Sequence, residues 1–338
     1  FRSHLAEITP ISRELGVRWL GLGFHPFAKR GDLAFVPKAR YGIMREYLPT
    51  RGAHALDMML RTCTVQANFD YASEEDAMRK MRVALKLSPL TTAMFANSPW
   101  LEDKPSGGVT YRGRVWLDVD PDRSGLLPTL FAKTAGLGQY VAWALDVPMF
   151  LFKRNGKVIA NTGQTFRAFW KNGFEGHRAT VGDWQLHLQT LFPEVRLKRT
   201  IEVRGADAQT SRTRCALPAL WTGILYDERA LAEADGLTAD YTHDELEALR
   251  KELWQKGLRA RFRGKPLADL ACRVVELAEG GLERRAIKNS EGKDERVHLR
   301  RLGELVARGR SPADDLLEGM NGSDFRREVI RRVALTPS

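Results

Sequence analysis

The chain has 338 residues, 43% hydrophobic and 28% charged, with 53 Lys and Arg against 42 Asp and Glu. That composition suits a globular protein with a sizeable core and excludes a disordered or collagen-like chain. No apolar run approaches the roughly 20 residues that span a bilayer, and a net charge of +11 points to anionic ligands, whether nucleotides, carboxylates or nucleic acid.

In chain order, His4–Leu15 reads as a helix that stops at Gly16, followed by a short apolar strand at Trp19–Phe24. The Gly-Leu-Gly there lacks the rest of a dinucleotide fingerprint. Lys38–Tyr47 has helical periodicity and ends before Pro49. Thr62–Tyr71 alternates as a strand, with Thr62, Thr64, Gln66, Asn68 and Asp70 on one face and Cys63, Val65, Ala67, Phe69 and Tyr71 on the other. Ser73 to Asp76 resembles a capping box that opens a helix through Leu87, with a second helix over Leu90–Phe95. Glu102–Thr110 is a mobile loop by composition. The acids of Asp118–Gly125 fail the calcium-loop template at Pro121 and Arg123, which leaves them local turn and ion-pair roles.

Pro148–Thr165 predicts a hairpin that turns at Asn155 and Gly156. Helices near Thr165–Trp170 and Gly182–Leu191 lead into Val195–Asp207. Taken as one strand, that stretch puts Lys198, Thr200, Glu202 and Arg204 on one face and Leu197, Arg199, Ile201 and Val203 on the other. Leu217–Asp227 is an apolar helix, and helix starts recur at Thr242 to Glu245 and Ser311 to Asp314. Residues 230–338 are helical and basic, with an exposed loop at Asn289–Glu295. The Arg-rich segments Arg259–Arg263, Arg296–Arg301 and Arg326–Arg332 predict solvated faces rather than a nucleic-acid platform. Three cysteines without a CxxC spacing indicate neither a disulfide framework nor a zinc site, and a reducing, cytoplasmic setting is the expectation. Cys63 and Cys272 are expected to be buried and inert.

Two polar strand faces that carry carboxylates, amides and guanidinium groups fit a phosphate-handling floor better than an ordinary wet surface. The residues also carry a resemblance. Pro37–Pro49, Arg61–Tyr71, Ala96–Trp100, Arg114–Pro128, Phe192–Asp207 and Cys215–Asp227 resemble the plant and proteobacterial type of glutamate–cysteine ligase, over about Ser3 to Asn321. The resemblance implies an α+β fold in which a curved antiparallel β-sheet has helices packed behind it. It implies a glutamine-synthetase-like catalytic domain with a helical C-terminal part. Residues 1–338 would then be a single ligase domain. Phe1 is not an initiator Met, and the family carries a further N-terminal segment with glutamate-rich motifs, so the expectation is a fragment that holds part of the metal shell and turns over slowly.

The implied reaction uses ATP and Mg²⁺ to join the γ-carboxylate of glutamate to the amino group of cysteine. Glu202 would bind the magnesium, and Arg204 the transferring phosphoryl group. Gln66 stands on the nucleotide side, where distant relatives have a His. Arg40 and Arg112 would take the glutamate-site ligand, with Arg61 and Arg123 as further candidates. Phe150 and Trp184 would wall the cysteine pocket. Asn68 and Asp70 would only support the face. Cys215 matches a plant regulatory cysteine whose partner lies outside this chain. A monomer or homodimer without membrane or nucleic-acid partners is expected. A ligase with another amine acceptor, and a basic nucleic-acid-binding protein, are the alternatives.

Overall fold

The central sheet has three strands: Ala67–Phe69 pairs antiparallel with Ile201–Val203, which pairs antiparallel with Val195–Leu197. The computed structural model describes residues 2–320 and 324–335; Phe1 and Asn321, cited above, lie outside them. Phe69, Val195, Leu197, Ile201 and Val203 share the inner face and are no more than 5% exposed. They join one apolar core with Met78, Met81, Leu85 and Met94 of the helix Glu74–Met94. Each such side chain contributes about 1.5–3 kcal/mol by leaving water. A slip of one residue would bury the charged face instead, so the register is firmly set.

The long stretch Val195–Asp207 is a hairpin rather than one strand. It reverses at Lys198–Thr200, where the Lys198 N–H donates to the Thr200 carbonyl at 3.0 Å. Three further expectations are corrected. Trp19–Phe24 forms only single bridges, Leu20 to Ala334 and Phe24 to Thr62. The two helices expected on either side of Pro89 are one helix, Glu74–Met94. Proline removes an N–H that would bond Leu85, and the Ser88 hydroxyl donates to the Leu85 carbonyl at 2.8 Å instead. Nor do the described strands form a single curved sheet: besides the three-stranded sheet, strand pairs stand apart, among them Leu151–Arg154 with Lys157–Ala160 and Ser124–Gly125 with Phe192–Pro193. The α+β class holds.

Other expectations are met locally. Ser73 accepts from the Asp76 N–H as an N-cap, and Thr242 forms a capping box with Glu245. Asn155 and Gly156 take positive φ at their turn. The expected loop from Glu102 opens on a tight turn, with φ of 51° and 67° at Glu102 and Asp103 between two short strands. Asp120 pairs with Arg123, both fully buried.

The C-terminal part packs as helices, with Ala216–Leu225 against Leu267–Arg285. Gly223 and Gly281 allow that approach: a Cβ on Gly281 would sit 1.9 Å from the Gly223 carbonyl oxygen. Its arginines are largely ion-paired at the surface, as in Arg263 with Asp240 and Glu245, Arg296 with Glu283 and Asp294, and Arg326 with Asp103. No helix among the described residues is long and apolar enough to cross a membrane.

Candidate active site

The outer face of the three-stranded sheet has Glu202 at its middle. In register, Asn68 lies opposite it on one neighbouring strand and Arg196 on the other. Because side chains on paired residues share a face, the hairpin brings Arg196 and Glu202 together. Arg196 Nε donates to Glu202 Oε2 at 2.8 Å and its Nη2 stands 2.7 Å from the same oxygen as an ion pair, while its Nη1 donates to the Leu191 carbonyl at 2.9 Å. Lys198 Nζ stands 3.3 Å from the same Oε2. Arg204 Nη1 reaches Glu202 Oε1 at 3.3 Å. With its amide turned to satisfy both neighbours, Gln66 donates to Oε1 at 2.6 Å and accepts from Arg204 Nη1 at 3.3 Å.

Three cations around one carboxylate leave a surplus of positive charge. Burial alone would raise the Glu202 carboxyl, but Arg204, Arg196 and Lys198 outweigh it and hold the group below the usual carboxylate range. Burial, helped by Arg196, pushes the Arg204 guanidinium down to about 10, so it is a cation at neutral pH that gains from an added anion. Such a face can receive phosphate oxygens, which a planar guanidinium matches in geometry.

Among the described residues, no three His, Cys, Asp or Glu side chains gather as a metal cluster. Glu202 Oε2 is gripped by Arg196, while Oε1 meets the neutral Gln66 amide at 2.6 Å and one cation, Arg204, at 3.3 Å. That donor set fits one carboxylate contribution to a magnesium shell completed by phosphates and water.

The structure thus brings together Gln66, Glu202 and Arg204, and adds Arg196 and Lys198. Arg112 lies directly beneath. Its Nη1 and Nη2 donate to the carbonyls of Gly205 and Arg204 at 3.0 and 2.9 Å, and Asp207 lies 3.8 Å away. Burial lowers its pKa, although Asp207 opposes the shift. Arg112 therefore holds the backbone under Arg204, with both terminal nitrogens already bonded. Asp207 is itself fixed by the Asn97 N–H and the hydroxyls of Ser98 and Thr110.

The other candidates lie elsewhere. Arg40, in the helix Ala39–Tyr47, has its guanidinium over the Tyr41 ring and no hydrogen bond or ion pair to the sheet face among the described residues. Phe150 is buried in a second core, stacked 3.8 Å under the Arg123 guanidinium, so it presents no wall to a ligand. Trp184 packs edge-on against Phe166 in an aromatic cluster of its own. Arg61 pairs with Glu102 and Asp57, and Arg123 with Asp120; both are buried. Asn68 accepts from Thr200 at 3.1 Å, and Asp70 is exposed at the sheet margin. Cys63, which lies ahead of the strand Ala67–Phe69, is exposed rather than buried, while Cys215 and Cys272 are half-buried.

The profile of glutamate-cysteine ligase family 2 matches residues 1–334. The chain is 48% identical over 323 residues to a protein of Brassica juncea named glutamate–cysteine ligase, chloroplastic, covering 95% of this chain and 62% of that protein. Proteins of the same name from Medicago truncatula and Arabidopsis thaliana are each 47% identical over 323 residues, again across 95% of the chain. The chain spans about three fifths of the length of these relatives. Their names run against the expected cytoplasmic setting, since all three relatives are named as chloroplastic.

Proposed function

The chain belongs to glutamate–cysteine ligase family 2, and from that premise we propose that it is the catalytic part of an ATP-dependent ligase. The reaction joins the γ-carboxylate of glutamate to the amino group of cysteine, giving γ-glutamylcysteine, ADP and phosphate, the first step of glutathione biosynthesis. The supporting observation is the positively charged face around Glu202 and Arg204, which suits phosphate and carboxylate together. We also read residues 1–338 as a single domain of glutamine-synthetase-like arrangement, with residues 230–338 as its helical, basic part.

A carboxylate and an amine do not condense unaided, because hydroxide is a poor leaving group. A γ-carboxylate oxygen attacks the terminal phosphorus of ATP, the bond to the bridging oxygen breaks, and ADP leaves. The cysteine nitrogen then attacks the acyl carbon, the acyl carbon–oxygen bond to phosphate breaks, and phosphate departs as the nitrogen gives up a proton. In this scheme Arg204 stabilises charge on the transferring phosphoryl group. Gln66 orients Arg204, and Arg112 keeps the backbone beneath it in place. Magnesium, when bound, would screen the phosphate charge, with Glu202 Oε1 as a protein ligand. The test is product analysis with the protein that carries these residues. Phosphate release that requires both glutamate and cysteine, with γ-glutamylcysteine in the mass spectrum, is the expected result. A better turnover with another amine would reassign the acceptor.

A further inference from the structure

The three cations around Glu202 are not equivalent. Arg196 is tied at both ends, to Glu202 and to the carbonyls of Leu191 and Gln189, and its side chain is 10% exposed. Arg204 is wedged beside Gln66 and is 11% exposed. Lys198 begins the hairpin turn, is 32% exposed, and has one ion-pair partner among the described residues, Glu202, at 3.3 Å. Its ammonium sits on a flexible four-carbon stem with three donors, and a single long contact holds it weakly.

We propose that Lys198 is a phosphate-contacting residue of the nucleotide site, which swings from Glu202 Oε2 to the terminal phosphate oxygens when ATP binds. This rests on the nucleotide reading given above. Two features of the site carry it beyond that reading. Lys198, Glu202 and Arg204 project from the same sheet face, so an anion bonded to Arg204 lies within the sweep of the lysine stem. The face also has surplus charge: Arg196, Lys198 and Arg204 against Glu202 leave two positive charges unneutralised. Moving Lys198 costs little, because Arg196 keeps hold of Oε2. A multiply charged phosphate chain offers the ammonium a stronger partner than a carboxylate already shared by three cations.

The test is calorimetric titration of the 338-residue chain and its Lys198→Met variant with ATP, inorganic tripolyphosphate and adenosine, alongside thermal unfolding. Lys198→Met should weaken ATP and tripolyphosphate about tenfold or more, leave adenosine unchanged, and leave the unfolding midpoint unchanged because the side chain is part-exposed. Lys198→Arg should recover most of the loss. ATP binding by Lys198→Met as tight as by the parent would overturn the inference while leaving the nucleotide site standing. An equal loss for adenosine, or a lowered midpoint, would make Lys198 structural and overturn it too. A parent chain that binds neither ATP nor tripolyphosphate would instead remove the nucleotide reading beneath it.

Discussion

Arg196 grips Glu202 from the facing strand through two nitrogens on one oxygen, at 2.7 and 2.8 Å. The grip leaves Glu202 Oε1 turned towards Gln66 and Arg204. It also means that the carboxylate is held by the sheet register itself.

Arg196→Met should therefore cost about 3 kcal/mol of stability, near the lower end for breaking a buried pair, because Lys198 and Arg204 remain. In urea denaturation, adding Glu202→Gln to that variant should cost less than in the parent, with a coupling of at least about 1 kcal/mol. Additive losses would show that the two side chains do not act as a pair.

Arg112 is expected to affect both fold and turnover, because the carbonyls of Arg204 and Gly205 hang on its guanidinium. Arg112→Ala should destabilise by about 3–5 kcal/mol, since Asp207 loses its facing cation in a dry interior. Arg112→Lys keeps the charge but cannot span both carbonyls, so kcat should fall about tenfold, the change that about 1.4 kcal/mol represents. Kinetics of Arg112→Lys within twofold of the parent would show that the backbone beneath Arg204 needs no such support.

The sequence shows the polar and apolar faces of the sheet because period-two alternation survives folding. It hides the hairpin for the same reason. Val195, Leu197, Ile201 and Val203 alternate through the turn as if it were absent, so Lys198–Thr200 reads as strand and Arg196 is never set against Glu202. Lys198, Arg199 and Thr200 form a polar run between two apolar pairs, which is the faint signal available. The burial of Phe150 and Arg112 is hidden for another reason: it depends on which helices cover them, and residue type does not encode that. That Glu202, Arg204 and Gln66 share one side of the sheet is legible, because the alternation of both stretches puts them on the polar faces.

Ser88 and Pro89 should show coupling of a kind local to one helix. Ser88→Ala removes the hydroxyl that satisfies the Leu85 carbonyl deep in the core, at a cost of about 1–3 kcal/mol. Pro89→Ala supplies an N–H to the same carbonyl, so the double variant should recover much of that loss. A double variant as weak as Ser88→Ala by chemical denaturation would show that the Leu85 carbonyl is not the source of the cost.

His187 should give the fold a measurable acid sensitivity before most carboxylates titrate. It is buried, one of its ring nitrogens (Nε2) lies 2.8 Å from the Ala144 carbonyl as neutral-ring donor, and burial pushes its pKa from 6.5 to about 4, with Arg123 adding to the shift. The folded state thus resists a proton that the unfolded chain accepts. Stability from this group is complete above the unfolded value near 6.5 and declines as pH falls towards about 4, where the folded state also takes up a proton. Between pH 7 and pH 5 the loss should be roughly 2 kcal/mol, from one proton bound preferentially by the unfolded state. His187→Gln retains an amide donor for the Ala144 carbonyl but cannot titrate. Its unfolding free energy should start lower, because the packing against Phe166 and Trp184 is lost, yet change less over the same interval. Equal slopes for the two proteins in urea titrations at pH 7, 6 and 5 would show that His187 is not the group responsible.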